Sequence, residues 1–108
     1  MTLTAGLIAA LIQTAAPAVV IPDEAALAPI IAERDAALFT TMFDRCDPAA
    51  LADLVTDDLE FYHDRGGLMA TRTAFVADYA KGCEARKAPD AWRSRRELVP
   101  GTMKVYAI

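Results

Sequence analysis

One histidine, one tryptophan, two cysteines and a carboxylate on an apolar stripe carry most of the chemistry available to this 108-residue sequence. His63 alternates with Leu59 and Phe61 along one face of an extended stretch, while Glu60, Tyr62 and Asp64 take the other face. An imidazole, with an ordinary pKa of about 6.5, could act there as a base or as a hydrogen-bond donor. The reading set against it, and favoured, is a half-buried structural residue beside a turn, satisfied by backbone or by Asp64. Asp35 follows Ile31 by four residues and precedes Leu38 by three, which puts a carboxylate on the buried face of a helix. Such a group must be paired or have its pKa raised, and a raised pKa is what proton abstraction from carbon uses. Arg72 or the Tyr62 hydroxyl could satisfy it instead. Because Tyr62 and His63 point to opposite faces, the strand register decides which of them enters any shared pocket.

Phe39, Phe61, Tyr62, Tyr79 and Trp92 are the candidates for an apolar or aromatic ligand pocket. At the spacing of Tyr79 and Trp92 the competing reading is ordinary core. Gly66-Gly67 is a turn pair that permits positive φ. No Lys-Ser/Thr follows it, so it is not a phosphate loop.

The compartment bears on the cysteines. Residues 1–22 contain no charged side chain, residues 7–12 are almost wholly apolar, and Ala16-Pro17-Ala18 has the small residues that a signal peptidase prefers. The expectation is a signal peptide over residues 1–18, a linker over 19–24 and a domain over 25–108, exported to the periplasm or secreted. Thr2, Thr4, Gly6, Gln13, Thr14 and Pro17 dilute the apolar run too much for a stable membrane anchor. In an exported chain, Cys46 and Cys83 most simply form one disulfide, worth roughly 3–4 kcal/mol in the chain-entropy model. Two buried free thiols are the alternative. A metal site from both cysteines and His63 lacks close ligand spacing, and nothing places the histidine beside either sulfur for thiol catalysis. Neither a metal nor a cofactor is expected.

Charge divides the chain unevenly. Residues 1–80 hold four bases against twelve acids, net −8, and residues 81–108 hold seven bases against three acids, net +4. Arg93, Arg95 and Arg96 have no aromatic platform beside them, and the chain is acidic overall. That balance argues against nucleic acid and for a solvated face.

These side chains need elements to hold them. Asp23 and Glu24 open a long amphipathic helix predicted over 25–45, with Leu27, Ile31, Leu38 and Met42 on one face. Asp47 and Pro48 start a short helix over 48–54. Residues 59–64 read as a strand, 65–67 as a turn and 68–70 as an extended return. Thr71 caps a third helix carrying Phe75, Tyr79 and Cys83, and a loop over 87–91 leads to a hairpin of strands 92–99 and 102–108 about Pro100-Gly101.

This order of elements resembles the nuclear transport factor 2-like superfamily, and within it the branch called domain of unknown function 4440. The resemblance is carried by residues 54–79, LVTDDLEFYHDRGGLMATRTAFVADY, by Asp35 and by residues 95–101. The stretch EFYHDRGG is its most specific part. The resemblance implies an α+β, cystatin-like cone in which a curved antiparallel sheet wraps a long N-terminal helix. Many members have a pocket between the two, used for chemistry by ketosteroid isomerases and polyketide cyclases and for binding or dimerisation by others. The branch has no agreed activity, so no catalytic role is carried over. Family members continue into further strands, so the expectation is a chain incomplete at its C-terminus or a short sheet with an edge that seeks a partner. Together these readings lead to an exported small-molecule-binding domain of unknown specific function, taking a small apolar or aromatic ligand. The alternatives are a cofactor-independent isomerase or cyclase, with Asp35 or His63 as general base, and a non-catalytic module that forms a homodimer.

Overall fold

The computed structural model describes residue 12 and residues 14–108, so most of the 1–18 leader lies outside the described residues. Among the described residues no helix is long and apolar enough to cross a membrane.

Helix α1, Glu24–Phe39, begins where the sequence signals it. The Asp23 carboxylate accepts from the Ala26 amide at 2.8 Å, and Glu24 adds negative charge at the positive end of the helix dipole. The helix does not run on as an α-helix to residue 45. From Thr40 to Asp44 it widens into a π-helical turn, in which the Arg45 amide reaches back five residues to the Thr40 carbonyl at 3.1 Å. Carbonyls in and after this turn are drawn off to side chains on another helix, as described below.

Helix α2, Pro48–Asp53, has its amide end capped by Asp47, which accepts from Ala50 at 3.0 Å. Strands β1, Glu60–His63, and β2, Gly67–Ala70, pair antiparallel, with Phe61 opposite Met69 and Tyr62 opposite Leu68. Gly67 turns the chain at φ +76, a conformation that glycine adopts without strain. The Thr71 amide adds one more bond, to the Leu59 carbonyl at 2.7 Å. Helix α3, Arg72–Ala85, follows at once, capped by the Thr71 hydroxyl on the Ala74 amide at 3.3 Å. The core lies where α2 packs on α3: Leu51 is fully buried, with Phe75, Cys83 and Thr41 buried around it.

The described residues therefore form an α+β arrangement of three α-helices and one two-stranded antiparallel sheet. The predicted strands 92–99 and 102–108 do not form. Pro100 and Gly101 do turn the chain, with Gly101 at φ +74 and the Thr102 amide on the Val99 carbonyl at 3.2 Å, but the arms do not pair. Alternation becomes a strand only against a neighbouring edge, and a lone hairpin is marginal in water. Contacts to the helical part hold the first arm instead. Arg93 donates to the Arg86 carbonyl at 3.0 Å, and Arg96 is bound to Asp35.

Candidate functional site

Phe61, His63 and Met69 lie on one face of the hairpin, as the alternation predicts, and that face turns toward α3. The Phe61 ring meets the Phe75 ring with centroids 5.0 Å apart, a tilted aromatic pair that fixes the register. Together with Tyr79, Arg86 and Trp92 these residues border an open cavity of about 380 Å³. Asp78 and Ser94 add polar groups to its wall, and neither side chain has a hydrogen-bond partner among the described residues.

His63 keeps a defined tautomer at this wall. The Arg65 and Gly66 amides both donate to its Nδ1 at 3.1 Å, so that nitrogen is an acceptor and Nε2 carries the proton. The Asp64 carboxylate is also 3.1 Å from Nδ1, but an ion pair there would need a proton on Nδ1, which the two amide donors oppose. The imidazole forms part of the cavity wall.

Behind the cavity, α3 presents Tyr79, Cys83 and Arg86 at spacings of four and three, one face of the helix. The Tyr79 hydroxyl lies 2.6 Å from the Thr41 carbonyl and 2.8 Å from the Arg45 carbonyl, and accepts from the Asp47 amide at 3.0 Å. Burial pushes this phenol above its ordinary value, opposed by the bond from Asp47. Arg86 Nη1 donates to the carbonyls of Met42 at 3.1 Å and Phe43 at 3.3 Å. Its Nη2 lies 3.3 Å from Cys46 Sγ and 3.2 Å from Cys83 Sγ. The two cysteines are free thiols, Cys46 exposed and Cys83 buried. Sequence reasoning missed Arg86, although it continues the Phe75-Tyr79-Cys83 stripe by one further turn.

Of the expected pocket residues, Phe61, Tyr79 and Trp92 border the cavity, and two do not. Tyr62 lies on the solvent side of β1, where its hydroxyl donates to Glu60 at 2.8 Å; that bond holds its proton on and raises its pKa. Phe39 stacks on Phe43 and lies beneath Arg96, whose Cζ is 3.7 Å from the ring centroid. Asp35 borders a different cleft, beside Ile31, Arg34 and Leu54, so the structure does not bring it together with His63. Its partner is neither of those expected. Arg72 pairs with Asp57 and Tyr62 with Glu60, while Asp35 accepts two bonds from Arg96, at 2.7 and 3.2 Å.

The described residues contain no group of three or more histidine, cysteine or acidic side chains placed to hold a metal ion. The arrangement offers apolar and aromatic surface, the His63 imidazole, the Arg86 guanidinium and the Tyr79 hydroxyl, with the Asp78 carboxylate and Ser94 hydroxyl unpartnered among the described residues. No family model, no curated protein and no solved structure matches the chain.

Proposed function

We propose that this chain is an exported small-molecule-binding domain that takes a compact apolar or aromatic ligand between the β1–β2 hairpin and α3. The observation that carries the reading is the cavity of about 380 Å³ bordered by Phe61, Phe75 and Trp92, a size and lining suited to such ligands. His63 Nε2–H, Asp78 and Ser94 would orient a ligand that carries a polar group. Export is supported by the charge-free leader with its small residues before position 19. The resemblance to the nuclear transport factor 2-like superfamily agrees with a pocket beside a sheet and belongs to the same proposal.

Trp92 is the only tryptophan, so its fluorescence reports on this wall alone. Titration with a panel of aromatic and apolar metabolites should give a saturable change for at least one compound, lost in Phe61→Ala. A folded protein whose fluorescence and melting temperature stay flat across the panel would remove the support for binding.

A further inference from the structure

We propose that Cys46 and Cys83 form a thiol–disulfide exchange site, with Arg86 as its positioning residue and small-molecule disulfides as its co-reactant. Arg86 Nη2 contacts both sulfurs, at 3.3 and 3.2 Å, so one cation lies against two thiols on separate segments of the chain. Nη1 of the same guanidinium is anchored on the Met42 and Phe43 carbonyls, which fixes the cation in place. The two sulfurs differ in access: Cys46 is exposed, whereas Cys83 is 5% exposed. An exposed sulfur that meets the oxidant beside a buried sulfur that completes the bridge is the division of labour exchange requires.

Access and charge favour different sulfurs, so Cys46 must lose its proton to its neighbour before it can attack. Burial alone would push the Cys83 thiol up, but the neighbouring Cys46 sulfur and the Arg86 guanidinium at 3.2 Å outweigh it and hold the thiol below its ordinary value. The neighbouring Cys83 sulfur keeps the Cys46 proton on and raises its pKa. The pair therefore shares one proton, with the negative charge favoured on Cys83 beside the guanidinium.

The chemistry balances with a disulfide RSSR as oxidant. Cys46 passes its proton to the Cys83 thiolate, and the Cys46 thiolate attacks one sulfur of RSSR. A mixed Cys46–S–S–R bond forms and the first RS⁻ leaves, taking up a proton as RSH. Cys83 then loses the shared proton and attacks Cys46 Sγ, the mixed bond breaks, and the second RS⁻ leaves and takes that proton as RSH. Two electrons pass from the protein dithiol to RSSR, giving one intramolecular disulfide and two RSH.

The test uses the full chain, reduced and then mixed with glutathione disulfide, and followed by intact mass. The expected product is an internal disulfide, two hydrogens lighter, formed at least about tenfold faster in the native protein than in concentrated urea. Cys83→Ser should stop at one glutathionyl adduct on Cys46. Arg86→Gln, checked for folding by circular dichroism, should slow closure about three- to tenfold through loss of thiolate character. Two glutathionyl adducts on the reduced protein, no reaction, or closure no faster than in urea would overturn the proposal. Should Arg86→Gln fail to fold, the native-against-urea comparison and the Cys83→Ser adduct still decide it.

Discussion

Arg96 grips Asp35 through both terminal guanidinium nitrogens, at 2.7 and 3.2 Å, across 61 residues of sequence. The same guanidinium lies over Phe39, so one side chain makes a bidentate ion pair and a cation–π contact together. The two charged side chains are 20% and 28% exposed, which weakens solvent screening without abolishing it. Asp35→Asn and Arg96→Ala should each destabilise by about 1–2 kcal/mol in urea unfolding, with a coupling of about 1 kcal/mol in the double-mutant cycle. A coupling near zero would mean that the pair does not tie residues 92–108 to α1.

Thr71 holds φ +78 and ψ 143, a region that β-branched residues rarely enter. It is kept there by its amide on Leu59 and by its hydroxyl on Ala74. Glycine removes the strain and loses little as a cap, so Thr71→Gly should stabilise by about 0.5–2 kcal/mol. Alanine loses the cap and keeps the strain, so Thr71→Ala should destabilise by about 1 kcal/mol. Thermal melts of the two variants moving in the same direction would contradict this account.

The faces of β1 predict opposite outcomes for adjacent residues. Phe61→Ala removes a ring packed on Phe75 and should cost about 1–3 kcal/mol, along with the ligand response of Trp92. Tyr62→Ala removes a ring 70% exposed on the other side and should stay within about 0.5 kcal/mol of the parent. If the Tyr62 variant lost ligand and the Phe61 variant did not, the hairpin would be facing the other way.

The legible parts of this molecule are those governed by neighbours in sequence. Asp23, the Asp47-Pro48 pair and Thr71 each mark a helix start, because a cap needs only its own side chain and an amide three residues on. The Gly66-Gly67 turn and the alternation of residues 59–64 are local in the same way. What the sequence left open was which face of that strand turns inward, because Phe75 settles the matter from α3. Residues 92–108 alternate like strands but find no edge to pair with, and no pattern within the segment reports that. Arg86 was passed over, and Arg96 was read as part of a solvated face although it lies over Phe39 and binds Asp35, because a long cationic side chain reads as solvated until its distant partners are placed. Asp35 was recognised as needing a partner, and only the fold identified Arg96.

The thiol pair should leave a signature in stability against pH. The first proton to leave the folded pair does so below the ordinary thiol value and the second above it, whereas the unfolded chain loses both near the ordinary value. As pH rises from the first folded step to the ordinary value, the unfolded state holds more protons and stability increases. Between the ordinary value and the second folded step the folded state holds more, so stability falls again. Urea midpoints measured under reductant across this alkaline range should therefore pass through a maximum near the ordinary thiol pKa. Replacing both cysteines by serine should remove the feature. A profile identical in the two proteins would mean that the sulfurs do not share a proton beside Arg86.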